Sequence, residues 1–179
     1  MCALPGRERE ARQHIPQALD YACELNCRRV HLMAEVIPPG MAKKECERQL
    51  IRNIAYAAKL FAQEDKIVLL EALNPGTKPD YFYSSQFQVM DILNKIESEN
   101  LFLQFDIYHA QQVDGSLTAF ISEHLSRIKH IQVASLPGCH EPDTGEVNYD
   151  YLEEKNYWQW IGCEYTPRQE TESGTGVAT

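Results

Sequence analysis

The run "KIVLLEALN", residues 66–74, limits the fold more than any other stretch of this sequence. It is short and almost wholly apolar, with no polar alternation. A strand with one wet face alternates, whereas a run apolar on both faces belongs to a parallel strand covered by helices on each side. Strand signals recur at "RRVHLMA" (28–34), "LFLQFDIYH" (101–109), "KHIQVAS" (129–135) and "WIGCEY" (160–165). Between them lie stretches of helical period. Ile15, Ala18, Leu19, Ala22 and Leu25 form one, and Leu50, Ile51, Ile54, Ala58 and Phe61 mark another over 43–62. Further helices are expected at 85–98 and 117–125, the first opened by a capping box between Ser85 and Gln88. Pro16 is costly inside a helix, so the first helix is expected to begin there. Strands alternating with helices imply right-handed βαβ units and a parallel α/β sheet. A small helix is expected at 149–155, and the Ser-, Thr- and Gly-containing tail from Gln169 is expected to be disordered.

Composition narrows the partners. A chain of 179 residues has room for one domain with a sizeable core. The formal charge of −9 repels a nucleic-acid backbone, and no basic stripe offsets it. No stretch approaches the ~20 apolar residues of a membrane helix, and no signal or transit peptide is recognisable. Six cysteines are scattered without a disulfide framework, which predicts reduced thiols and a cytoplasmic protein. Cys23 and Cys27 read as two partly buried residues on one helix face. A small molecule is the expected partner, with no nucleic acid and no membrane.

Polar side chains stand where the apolar strands meet their loops. Glu71 ends "IVLLE", Asp106 ends "FLQFD", Gln132 sits in "HIQVA" and Glu164 ends "IGCE". Each lies about one βα unit from the last, so parallel strands can bring all four to one mouth, the face on which such folds build sites. Taken singly, an acid at a strand end is most often a helix N-cap or a loop hydrogen-bonder. Taken together, crowded carboxylates repel and raise one another's pKa, a cost that a divalent cation removes. Three carboxylates and an amide without cysteine favour Mg²⁺ or Mn²⁺ over Zn²⁺. His109 caps or packs in the common case, but beside an anionic substrate it can donate to a substrate oxygen. His31 reads as an interior histidine held by neighbours. Glu141 and Arg168 flank the mouth, with a solvated loop charge at least as frequent as a role. Tyr157, Trp158 and Trp160 read as packing residues.

The ordered set "VHLMA", "LLEALN", "LQFDIYH", "HIQVASLPG…HEP…GEVNY" and "GCEYTPR" resembles the hydroxypyruvate isomerases. These belong to the xylose-isomerase-like TIM barrels, which include the ketose 3-epimerases. The likeness runs from about Leu4 to Arg168 and implies one partial TIM-barrel domain over 1–168. It would correspond to the last five βα units of a (β/α)8 barrel, with possible self-association through an open barrel edge. The activity implied is interconversion of hydroxypyruvate and 2-hydroxy-3-oxopropanoate, a small hydroxy-keto acid substrate. Matching motif by motif, Glu71 and Glu164 fall on the paired proton donor/acceptor positions; His109 and Glu141, from their place at the mouth, are the residues expected to bind substrate. In related metal-dependent members, Glu71, Asp106, Gln132 and Glu164 would hold the cation. Two carboxylates can take and return the proton while a metal stabilises the enediolate between the two steps. The family's "PGRHEP" reads "PGCHEP" here, so Cys139 stands where an arginine would hold a substrate carboxylate. With that arginine and three βα units absent, the isolated chain is expected to isomerise hydroxypyruvate weakly or not at all. The rival reading is an inactive truncated fragment that binds a partner, and a metal-dependent nuclease is disfavoured by the charge.

Overall fold

A computed structural model describes residues 2–149 and 157–170. The chain divides into two compact units, residues 1–103 and 104–179.

The first unit contains helix α1 (Glu8–Glu24), strand β1 (Arg29–His31), helix α2 (Lys43–Ala62), strand β2 (Ile67–Leu70), helix α3 (Gln86–Asn94) and the first half of strand β3 (Leu101–Asp106). Its strands pair in parallel, with Val30 opposite Val68, and Leu69 opposite Phe102. Val68, Leu69 and Leu70 are all buried, as a strand covered on both faces requires. Helix α2 has the predicted limits and turns Cys46, Leu50, Ile54, Ala57, Ala58 and Phe61 inward. Helix α1 buries Ala11, Ile15, Leu19 and Ala22, but it begins eight residues before Pro16, which lies within it. Glu8 and Glu10 in the first turn favour the early start through the helix dipole. The proline withholds only the bond to the carbonyl of Arg12, an exposed residue whose guanidinium stacks 3.6 Å from the Tyr56 ring. Leu25 lies just past the helix and is exposed. Cys23 and Cys27 are also exposed, and Cys27 is outside the helix, so the expected buried pair does not form.

The Ser85–Gln88 capping box opens α3 as expected, yet the helix stops at Asn94. The chain beyond it is committed to Asn100, whose Nδ2 donates to the carbonyls of Ala58 (2.9 Å) and Lys66 (3.0 Å). Those bonds place the start of β3, where the Asn100 carbonyl accepts from Val68 N–H.

The second unit completes β3 and adds helices α4 (Ile107–Val113) and α5 (Leu117–His124), a 3-10 turn (Leu125–Arg127), and strands β4 (Ile128–Val133) and β5 (Ile161–Cys163). Strands β4 and β5 pair in parallel, with Gln132 opposite Gly162. The Phe105 and Phe120 rings stack at 5.1 Å beneath α5. The expected strand 101–109 ends at Asp106 because "IYH" turns helical (see below). Trp158 and Trp160 are 86% and 71% exposed, so they do not pack as expected. The expected helix at 149–155 and the expected tail from Gln169 fall almost wholly outside the described residues. All strand pairings described are parallel, in agreement with the α/β class. Among the described residues no helix is long and apolar enough to cross a membrane, and all six cysteines are free thiols.

Candidate functional site

The four strand-end residues occupy the positions that the sequence pattern assigned. Glu71 follows β2, Asp106 closes β3, Gln132 is the penultimate residue of β4, and Glu164 follows β5.

In the first unit, Glu71 is buried and its Oε2 lies 3.2 Å from His31 Nδ1. Burial pushes the His31 imidazole down to about 4, so it is neutral at pH 7. A neutral ring facing a carboxylate must carry its proton on Nδ1. His31 is thus held by its neighbour, as anticipated. Tyr81 stands nearby, its hydroxyl accepting from Ala34 N–H at 2.8 Å. Burial raises that phenol, and the charge of Glu71 adds to the effect.

In the second unit, Asp106 does what a lone strand-end acid most often does. Its Oδ1 caps α4, accepting from the N–H groups of Tyr108 (2.7 Å) and His109 (3.3 Å). The cap starts the helix and swings His109 back over the strand end, where Nε2 lies 3.8 Å from Asp106 Oδ2. Burial lifts the Asp106 carboxyl to about 6 even though the two N–H groups pull it down. Burial drives His109 down to about 4, against the opposing charge of Glu164. At neutral pH the pair is therefore an ionised carboxylate beside an uncharged imidazole.

Alternation along a strand puts Gln104 with Asp106, His130 with Gln132, and Gly162 with Glu164 on shared faces. The side chains connect accordingly. Gln104 Nε2 donates to Gln132 Oε1 at 2.5 Å, and Gln132 Nε2 donates to Glu164 Oε2. Gly162 leaves room for the His130 ring, whose Nε2 would stand 3.0 Å from a Cβ at that position. Gln104, His130 and Gly162 lie inside their strands, where the strand-end pattern does not reach. Period-two alternation was the signal that could have found them.

The loop after β4 is laced to the segment after β5. Thr166 N–H donates to the Cys139 carbonyl (2.8 Å), and Arg168 N–H donates to the buried Glu141 carboxylate (3.1 Å). The Arg168 guanidinium also reaches Asp143 (3.1 Å) and Thr144 (2.7 Å). Glu141 is thus a buried partner of Arg168, whose guanidinium stays partly exposed. The Cys139 thiol is raised by burial and by the charges of Asp106 and Glu164, and its Sγ lies 4.0 Å from the Glu164 carbonyl oxygen.

These contacts bring Asp106, His109, Gln132 and Glu164 together within one unit, while Glu71 is anchored with His31 in the other. The oxygens suit a hard cation. Asp106 spends Oδ1 on the helix cap and keeps Oδ2 for other partners, and its raised pKa marks a carboxylate whose desolvation a cation would relieve. Gln132 turns its nitrogen to Glu164 and its oxygen to Gln104, and that oxygen has a second lone pair to offer an ion.

Comparison with known proteins speaks to the family. A 2-oxo-tetronate isomerase of Pectobacterium atrosepticum is 46% identical over 98% of this chain and 69% of its own length. The hydroxypyruvate isomerase of Escherichia coli is 34% identical over 97% of the chain and 69% of its length. Among solved structures, a protein titled AP endonuclease, family 2, from Brucella melitensis superposes with a TM-score of 0.93 and 42% identity, covering 98% of this chain and 69% of that one. A D-psicose 3-epimerase of Clostridium cellulolyticum superposes with a TM-score of 0.80 at 15% identity over 99% of this chain and 65% of that one, a likeness of fold alone. The profile of one family matches residues 1–178 from end to end. On that match, and on relatives 34% and 46% identical across nearly the whole sequence, the chain belongs to the xylose isomerase-like TIM barrel family.

Proposed function

We propose that this chain carries the chemistry of a sugar-acid isomerase, interconverting hydroxypyruvate and 2-hydroxy-3-oxopropanoate, with Glu71 and Glu164 as the acid–base pair. The observation that carries the reading is the Glu164 carboxylate held by Gln132 beside the neutral His109. Isomerising an α-hydroxy ketone moves a proton from the carbinol carbon to the carbon that was the carbonyl. One glutamate removes it, and the other returns a proton to the adjacent carbon. His109, uncharged at neutral pH, can donate to a substrate oxygen without adding a positive charge. Glu141 acts on the substrate side by fixing Arg168 and the segment after β5. Glu71, Asp106, Gln132 and Glu164 would hold Mg²⁺ or Mn²⁺. A bound cation would supply positive charge where the enediolate oxygens develop negative charge.

The relatives' names include both hydroxypyruvate and 2-oxo-tetronate isomerases, so the substrate is best tested on both acids. Proton NMR of the chain with each acid and Mg²⁺ should show slow conversion of at least one. Glu71→Gln and Glu164→Gln should each lower that rate at least about 10²-fold, the usual worth of a positioned acid or base. Unchanged rates in both variants would refute the assignment of the pair.

A further inference from the structure

We propose that Gln104 is a positioning residue, holding the Gln132 amide in one orientation and through it the Glu164 carboxylate. The inference rests on the acid–base reading of Glu164 and deepens it by naming what fixes that group. Gln104 lies in the middle of β3 between Leu103 and Phe105, both fully buried, and is itself 6% exposed. An amide is an expensive choice there, because burying one without partners costs on the order of 1–3 kcal/mol against mutational scales. One partner that the buried amide does have is Gln132.

The direction of the bonds makes the use specific. A glutamine amide presents oxygen on one edge and two N–H groups on the other, and a half-turn exchanges them. Gln104 offers Nε2 to Gln132, so the Gln132 oxygen must face Gln104. The Gln132 N–H₂ is then left to face Glu164, where it donates to Oε2. Glu164 sits on exposed chain after a three-residue strand, where its N–H donates to the Val133 carbonyl and its carbonyl accepts from the Cys139 thiol. Gln132, on the longer β4, is the firmer support, and its orientation is set from β3. A positioned catalytic group must be held to about 0.5 Å, and a relay of two amides from a buried strand is suited to that.

The test uses the full chain labelled with ¹⁵N and needs no substrate. Exchange of the Gln132 Nε2 protons with solvent should be slow in the unsubstituted chain and about tenfold faster in Gln104→Met, reflecting the loss of one hydrogen bond. Backbone amides 131–133 should keep their rates. Gln104→Leu repeats the measurement if the methionine variant loses its dispersed spectrum. Unaltered side-chain exchange, or equal acceleration of the backbone amides, would overturn the proposal. Kinetics supply the second arm: Gln104→Met should lower kcat with KM within about twofold, and should have no further effect in a Gln132→Met background. Equal losses in both backgrounds would overturn positioning through Gln132. If the unsubstituted chain turns over neither acid, the acid–base reading fails while the exchange rates still decide the role of Gln104.

Discussion

Replacing Asp106 with asparagine should change how stability depends on pH, in a direction the structure dictates. Burial raises the Asp106 carboxyl from its usual 3.8 to about 6 in the folded chain, so between those values the folded state binds the proton more tightly than the unfolded state. Stability from this group is therefore full below about 4 and is lost as pH rises through about 6, by about 3 kcal/mol at 1.36 kcal/mol per pH unit. His109 works in the opposite sense. Its folded value of about 4 lies below the usual 6.5, so its contribution is absent below about 4 and grows by about 3 kcal/mol as pH rises through 6.5. The two nearly cancel, and this pair should leave the unsubstituted chain almost level between pH 4 and 6.5. Asparagine keeps an oxygen for the N–H groups of Tyr108 and His109 but cannot ionise, which removes the falling half. Relative to the unsubstituted chain, Asp106→Asn should gain about 3 kcal/mol from pH 4 to pH 6.5. Urea titrations at half-unit pH intervals, with chelator present to keep cations away, measure the difference directly. A difference constant to within about 0.5 kcal/mol would show that burial does not perturb Asp106, and the electrostatic account of the site would fall.

Asn100→Ala removes both donors to the Ala58 and Lys66 carbonyls and should cost about 2 kcal/mol by urea unfolding. Ser85→Ala dismantles the capping box of α3 and should cost about 1 kcal/mol by the same assay, while Ser85→Asp should keep most of it. Cys139→Arg places a guanidinium near Asp106 and Glu164, where a substrate carboxylate can meet it. Steady-state kinetics should show KM for hydroxypyruvate lowered about 30- to 150-fold, equivalent to about 2–3 kcal/mol, with a smaller change in kcat.

Much of the fold is written in the hydrophobic period. The extent of α2 can be read from the sequence because apolar residues recur at helical spacing from Cys46 to Phe61, even with Gln49 and Asn53 buried among them. The start of α1 cannot, because Pro16 looks like a boundary until Arg12, the residue whose bond it removes, is seen to be exposed. The end of β3 also escaped the strand pattern. "DIYH" continues an apolar alternation, and only the two N–H groups gathered by Asp106 show that the chain has already become helical. Trp158 and Trp160 were misjudged for the opposite reason, since aromatic character alone does not say that an element covers them. At the candidate site the strand ends located Glu71, Asp106, Gln132 and Glu164 because parallel strands share a direction. Gln104 and His130 were missed because a polar residue inside a strand acquires meaning only from its neighbour on the adjoining strand.

The central claim is proton transfer by Glu71 and Glu164, and hydrogen isotopes report on it directly. The Pectobacterium relative extends beyond the matched region, which makes up 69% of its length. A chimera carrying the remainder of that relative, with Cys139→Arg, can therefore be compared with the chain itself. Each is incubated with hydroxypyruvate and Mg²⁺ in D₂O and followed by proton NMR. The account predicts loss of the C3 proton signal and deuterium at C2 of the product in the chimera. Both changes should be weaker in the chain alone, and absent from the chimera bearing either Glu71→Gln or Glu164→Gln. A folded chimera that leaves every C3 proton in place, or variants that exchange as fast as their parent, would contradict it.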